Sequence, residues 1–170
     1  MFQRTLTITC CGDGETGKTA FIKTLLHQKH DQFHISTLDE EYLYDLIMGS
    51  KTYKLKILDS PGNQEYRGMI EYDVKDSDGI ILFFDTTIGP SFADLEEYYE
   101  CFDRAVMGFD APVILVGNLH EDKQPSVKKE MIDEFCKKHS CEYFPLNCVK
   151  DEQKCIEAIT ELYKKMDKLN

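Results

Sequence analysis

Positive charge is scarce in this sequence. Its 170 residues hold 20 Lys+Arg against 31 Asp+Glu, a formal net charge of −11 at pH 7. Arginine is rare, occurring only as Arg4, Arg67 and Arg104. Such a chain is a poor sequence-independent binder of nucleic acid, which demands clustered Lys and Arg to neutralise phosphates. It is equally unsuited to adsorption on an anionic bilayer. Long apolar runs are missing too, since the longest, 79–84 and 112–117, are strand-sized and too short for a membrane span. The N-terminal MFQRTLTITCC lacks a signal-peptide layout, and Phe2 stands where N-myristoylation needs glycine. No C-terminal Cys-a-a-X box is present: the last cysteine is Cys155 and the chain ends MDKLN. No intrinsic membrane anchor is expected. The seven cysteines are odd in number and irregular in spacing, which reads as reduced thiols in a cytoplasmic protein rather than a disulfide framework. Repeats, low-complexity tracts and Pro/Gly/Ser-rich linkers are absent. With 42% hydrophobic residues, the expectation is one globular domain over 1–170.

Apolar runs alternate with helical patterns. Residues 6–11 form a buried-strand candidate that ends at Gly12. Residues 18–28 carry helical spacing, with Phe21, Ile22, Leu25 and Leu26 on one face. Residues 41–48 and 52–58 read as two strands joined by a turn at Gly49-Ser50. Buried strands follow at 80–84 and 113–116, and a short one at 142–146. Helices are expected at 92–107, 126–138 and 152–166. This alternation predicts an α/β sheet covered on both faces, with one antiparallel edge strand contributed by the hairpin.

The strongest local signal is Gly12-Asp13-Gly14-Glu15-Thr16-Gly17-Lys18-Thr19, which fits G-x-x-x-x-G-K-[ST] between a strand and a helix. Glycines let successive backbone N–H groups converge on phosphate oxygens, and the following helix N-terminus adds free donors. Lys18 would supply a charge to the β- and γ-phosphates, and Thr19 a hydroxyl to Mg²⁺. Downstream, Asp59 closes a buried strand in Ile57-Leu58-Asp59-Ser60-Pro61-Gly62, the place for a second Mg²⁺-directed carboxylate. Thr37 lies between them in HISTLDEEY, and Gly117-Asn118-Leu119-His120-Glu121 ends another buried strand.

In their order and spacing, these segments resemble a Ras-superfamily small GTPase over essentially the whole chain. The phosphate loop, with Phe21 and Lys23, looks most like the Ran branch, and the segments DSPGNQEYRGM and SFADLEEY look more like the Ras branch. The resemblance implies a P-loop G domain: a six-stranded mixed sheet of order 2-3-1-4-5-6 with about five helices on both faces. It implies GTP/GDP and Mg²⁺ as cofactors. Asp13, Gly14, Glu15, Thr16, Gly17, Lys18, Thr19 and Ala20 would wrap the phosphates. Thr19, Thr37 and Asp59 would hold the metal. Thr37 and the Gly62 amide would sense the γ-phosphate. His34 matches a tyrosine that closes over the phosphates, and His30 an aromatic packed beside the base. Asn118, Leu119 and Glu121 would read the base, with Asp122 a competing carboxylate. Cys148, Val149 and Lys150 match the Ser-Ala-Lys segment, whose useful group is a backbone N–H. Residues 34–42 and the segment after Gly62 would meet effectors, and an exchange factor and a GTPase-activating protein complete the implied partners of a monomer.

Two departures bear on activity. The residue after Gly62 is Asn63, where hydrolysing members carry a water-orienting glutamine. Asn is one methylene, about 1.5 Å, shorter, and a misplacement of that size costs orders of magnitude in rate. Gln64 is adjacent but would project differently. No arginine lies in the segment around Thr37 to act in cis. Slow hydrolysis is therefore expected, with a pseudo-GTPase scaffold as the alternative. In the base-reading segment, Leu119 and Glu121 replace Lys and Asp, so guanine preference is expected with reduced affinity or selectivity.

Other residues have blander readings beside their functional ones. Asp39-Glu40-Glu41 is either a solvated surface or an effector edge selecting a basic partner. Asp94, Glu96, Glu97, Glu100 and Asp103 read as a solvated helix face. Cys136, His139 and Cys141 match no standard zinc spacing, and Cys10-Cys11 reads as a buried pair of small apolar groups.

Overall fold

A computed structural model describes residues 4–30 and 40–169. Six strands form one sheet: β1 Leu6–Cys11, β2 Glu40–Met48, β3 Lys51–Asp59, β4 Gly79–Asp85, β5 Val113–Asn118 and β6 Glu142–Leu146. Their order is β2-β3-β1-β4-β5-β6. Only β2 and β3 pair antiparallel. The hairpin turns at Gly49, whose φ of +61° needs a residue without Cβ strain.

The helices are α1 Lys18–Leu25, α2 Arg67–Lys75, α3 Gly89–Ala93, α4 Leu95–Ala105, α5 Lys129–His139 and α6 Glu152–Asp167. Only Asp94 separates α3 from α4, so the sheet is covered by five helical bodies. The fold expected from the resemblance, a mixed six-stranded α/β sheet with one antiparallel edge strand, is the one observed.

Strand pleating divides the core into two layers. Ile81 and Phe83 of β4 join Phe21 and Ile22 of α1 and Ile159 and Leu162 of α6 on one face. Ile80, Leu82 and Phe84 join Ile70 of α2, Leu95, Tyr98 and Phe102 of α4, and Phe135 of α5 on the other. β4 is buried at all seven positions, which is why it reads as a continuous apolar run rather than an alternating one.

Some boundaries differ from those the pattern predicts. α2 carries too weak a pattern to be placed from sequence, because only Ile70, Asp73 and Val74 are buried along it and Gly68 interrupts it. The helix expected at 126–138 starts at Lys129. The Ser126 and Val127 N–H groups donate to the Thr86 carbonyl at 2.8 and 3.2 Å and hold that segment outside the helix. The helix expected at 92–107 starts at Gly89, with Pro90 in its first turn, and ends at Ala105 because Val106 is extended. α1 stops at Leu25, two residues before His27 turns left-handed at φ 53°.

The register sets the functional edge. Cys10 pairs with Asp59, Asp85 with Asn118, and Asn118 with Leu146. The loops leaving β1, β3, β5 and β6 therefore emerge together at the carboxyl ends of the parallel strands.

Phe83 is fully buried and meets Phe21 edge-on, with ring centroids 5.4 Å apart. Phe83→Ala is expected to destabilise the protein by about 3–5 kcal/mol, read as a lower urea midpoint with an unchanged slope.

Candidate functional site

The loop after β1 wraps around the ammonium of Lys18. Lys18 Nζ donates to the carbonyls of Gly12 at 2.8 Å and Asp13 at 2.7 Å. Burial pushes its pKa down, and the nearby Asp59 carboxylate works against that push. Gly12 must be glycine here: its φ is +146°, and a Cβ would lie 2.4 Å from the Phe83 carbonyl oxygen. Gly17, at φ +101°, leads directly into α1. A Cβ on it would come within 2.8 Å of both Asn118 Nδ2 and Cys148 Sγ. Gly62 lies against the loop, where its Cβ would sit 2.3 Å from the Gly14 amide nitrogen.

These contacts leave a cavity of about 250 Å³ lined by residues 14–20, Gly62, Asn63 and Asn118. Beside it, the Thr19 hydroxyl donates to Asp59 Oδ2 at 2.6 Å. A second hollow of about 360 Å³ is lined by residues 118–122, Asn147, Val149 and Lys150. Asn118 lines both, so the two hollows adjoin across the strand ends as a two-part trough.

Asn118 also fastens the walls of the trough. Its Oδ1 accepts from the Cys148 N–H at 3.0 Å, and its carbonyl accepts from the Thr86 hydroxyl at 2.9 Å. Asn147 Oδ1 accepts from the N–H groups of Val149 and Lys150 at 3.0 and 3.1 Å. The Thr24 hydroxyl donates to the Cys148 carbonyl at 2.7 Å and meets His30 Nε2 at 3.2 Å, so α1, His30 and the last loop are tied together. Thr24 was not singled out by sequence, because nothing in the local pattern marks a threonine inside an amphipathic helix.

The structure brings together Gly14, Glu15, Thr16, Gly17, Lys18, Thr19, Ala20, Gly62, Asn63 and Asn118 around one cavity, with Asp13 and Asp59 behind it as partners of Lys18 and Thr19, and Leu119, Glu121, Val149 and Lys150 around the adjoining hollow. Cys148 lies buried behind that hollow. Gln64 is exposed at the start of a 3₁₀ turn leading into α2 and does not line the cavity. His34, Thr37 and Asp39 lie outside the described residues.

Three arrangements could not be read from the chain. First, Lys150 Nζ pairs with Glu121 Oε2, so the candidate base-reading carboxylate already has a cationic partner. Second, His120 Nε2 sits 2.6 Å from Asp85 Oδ2 at the end of β4. Burial works to raise the Asp85 pKa, but hydrogen bonds from the Thr87 hydroxyl and N–H, with His120, hold the carboxylate below its usual range. Third, Arg67 is only 14% exposed and gathers acids from three places. It meets Asp13 and Asp94 at 3.4 Å each, pairs with Glu97, and lies 5.0 Å over the Tyr98 ring. The Tyr98 hydroxyl donates to Asp13 Oδ1 at 3.0 Å. Burial and a hydrogen bond with Asp94 raise the Asp13 carboxyl.

This last cluster corrects the reading of the acidic helix as simply solvated. Asp94 and Glu97 bind Arg67, while Glu96 binds Lys138 at 2.9 Å and His139 at 3.0 Å.

The model of the Ras family matches residues 7–168. The chain belongs to the Ras family of small GTPases. Ras-related protein Rab-7b of Mus musculus is 28% identical to this Ras-family chain over 138 residues, which cover 79% of the chain and 69% of that protein. Nucleotide-dependent switching is the work of this family, and the trough lies where a P-loop fold puts its ligand. No helix among the described residues is long and apolar enough to cross a membrane.

The Asp85 contacts carry a pH prediction. A carboxylate whose folded pKa is depressed stabilises the fold above its unfolded value and loses that contribution as pH falls through the folded one. Wild-type stability should therefore fall more steeply than that of Asp85→Asn between about pH 5 and about pH 3, measured by denaturant titration at each pH.

Proposed function

We propose that this Ras-family chain is a guanine-nucleotide switch, organised as one G domain over 1–170, whose own GTP hydrolysis is slow. The observation that carries this reading is the two-part trough: a cavity of about 250 Å³ around Lys18, adjoining at Asn118 a hollow of about 360 Å³. The donor chemistry fits both cofactors. Glycines at 17 and 62 let the walls of the cavity close up where a Cβ would collide with Asn118 and Cys148 or with the Gly14 backbone, and Lys18 brings the charge a phosphate needs. The Thr19 hydroxyl and Asp59 carboxylate are hard oxygen donors of the kind Mg²⁺ prefers. Mg²⁺, when bound, neutralises charge that builds on the phosphate oxygens. Thr37 would supply the third metal-directed oxygen.

In this reading, residues 13–20 bind the phosphates through backbone N–H groups, and Lys18 exchanges its carbonyl partners for phosphate oxygens. The Gly62 amide and Thr37 respond to the γ-phosphate, ordering their loops in the triphosphate form. Asn118 holds the last loop in place by accepting from Cys148. Leu119 packs on the base, with His30 and His34 at its margins. Cys148, Val149 and Lys150 contribute the backbone that faces the base.

Slow turnover follows from two residues. Asn63 lines the cavity but is one methylene short of a water-orienting glutamine, and the exposed Gln64 does not line it. Arg67, the one arginine of α2, is committed to Asp13, Asp94 and Glu97 and is not placed to act as a finger. An activating protein would have to bring its own arginine. Glu40 and Glu41 stand exposed on the edge strand β2, which supports an effector surface over 34–42 for a basic partner. An exchange factor completes the cycle. The chain is read as a monomer, and its seven free thiols suit the reducing cytoplasm.

A scaffold with little or no turnover is the second reading. The Glu121–Lys150 pair favours it, together with the Val149 and Lys150 N–H groups already bonded to Asn147, because a base must displace or share these partners.

Nucleotide released by denaturing the purified protein tests the main reading. Guanine nucleotide is the expected result, and ATP or an empty protein overturns the base assignment. Asn63→Gln should raise single-turnover GTP hydrolysis about ten-fold or more. An unchanged rate would mean that the shortened side chain is not what limits turnover.

A further inference from the structure

Far from the trough, α5 ends in a left-handed cap. Ser140 has φ 53° and ψ 38°, and the Cys141 N–H donates back to the Cys136 carbonyl at 3.1 Å. A bond of this span brings the side chains at its two ends together, usually as an apolar contact. Here both ends are cysteines, and both are free. Cys136 is half-buried and Cys141 buried. Rigid rings line the corner: Tyr99 stacks on His139 at 3.8 Å and meets Phe135 edge-on at 5.8 Å. His139 Nε2 is engaged by Glu96, and among the described residues no group of three or more His, Cys, Asp or Glu side chains is arranged to hold a metal.

We propose that Cys136 and Cys141 form a reversible dithiol redox site, closed to a disulfide by a peroxide-class oxidant. The geometry is that of two residues joined by a backbone hydrogen bond across a helix cap, an arrangement that draws their side chains together as a disulfide requires. The neighbouring Cys136 thiol holds the Cys141 thiol below its ordinary range against the effect of burial, which favours thiolate there. Cys10, Cys11, Cys148 and Cys155 are disfavoured because burial raises their thiols.

The chemistry balances. The Cys141 thiolate attacks one oxygen of hydrogen peroxide. The O–O bond breaks, hydroxide leaves and takes up the proton that Cys141 had lost, and the sulfur becomes a sulfenic acid. The Cys136 sulfur then attacks that sulfur, the S–O bond breaks, and a second water leaves with the Cys136 proton. Two thiols and one peroxide yield one disulfide and two waters. A dithiol reductant reverses it.

The test uses the full chain with its nucleotide as purified. The protein is treated with hydrogen peroxide at neutral pH, blocked with N-ethylmaleimide and digested with trypsin. Trypsin cuts after Lys137 and Lys138, so the two cysteines fall in peptides 130–137 and 139–150. The expected product is these peptides joined by a disulfide, with two thiols lost to the blocking reagent and both regained after dithiothreitol. Cys148 shares the second peptide, so Cys148→Ser should keep the link while Cys141→Ser abolishes it. The oxidised protein should melt about 5 °C higher than the reduced one. A link through Cys148, a disulfide between two chains, sulfenic acid trapped on one cysteine beside a reduced partner, or a lower melting temperature on oxidation would each overturn the proposal. Peptide mapping of the unaltered chain decides the matter even where a variant folds poorly.

Discussion

The buried ammonium of Lys18 constrains the rest of the site. A lysine charge removed from water must be hydrogen-bonded, and the carbonyls of Gly12 and Asp13 do this from the loop that precedes α1. For those carbonyls to point inward, the loop must fold back over the end of α1. That forces φ values of +146° and +101° at Gly12 and Gly17 and a close approach to the Phe83 carbonyl. β4 and β1 must then lie side by side in register, as they do. A single charge thus links the backbone of one loop to the register of the central strands. It also leaves a cationic hollow in a protein whose net charge is −11.

The acidity of the chain is arranged rather than merely spread over a surface. Arg67 draws Asp13, Asp94 and Glu97 together, so α2, α4 and the phosphate loop share one ionic cluster with the Tyr98 ring beneath it. Asp13 belongs both to this cluster and, through its carbonyl, to the Lys18 cradle. α2 is attached to the phosphate loop at the place where a switch segment would have to move. On the other side of the trough, Glu121 and Lys150 neutralise each other, and Asn147 takes up the two N–H groups next to them. The Lys18 end of the trough therefore presents charge to a ligand, while the Glu121 end has satisfied much of its polarity internally. That asymmetry accounts for the tension between a nucleotide switch and a scaffold.

The strands were legible because a β-strand buried on both faces is a short continuous apolar run, and 80–84 and 113–116 are such runs. The helix α2 was not, because Ile70 and Val74 are its only buried apolar residues. The phosphate loop could be read in full, since glycine spacing, lysine and threonine are local requirements of backbone geometry. Asn118 could be placed for the same reason, at the end of a buried strand. Thr24 could not, because its value lies in a carbonyl 124 positions away, that of Cys148.

By itself the sequence determined the sheet, the phosphate loop, the pairing candidates Thr19 and Asp59 proposed to face a metal, and the substitution at Asn63. Each is set by residue type over a few neighbouring positions, where sterics and hydrogen bonding act locally. Tertiary structure alone decided that Arg67 is committed to three acids, that Glu121 already has Lys150, and that His120 turns to Asp85. Tertiary structure also joined α1 to the last loop through Thr24. The reason is physical. Charges and thiols find partners by distance after the chain has folded, and no spacing along the chain records which of several acids or loops will be nearest.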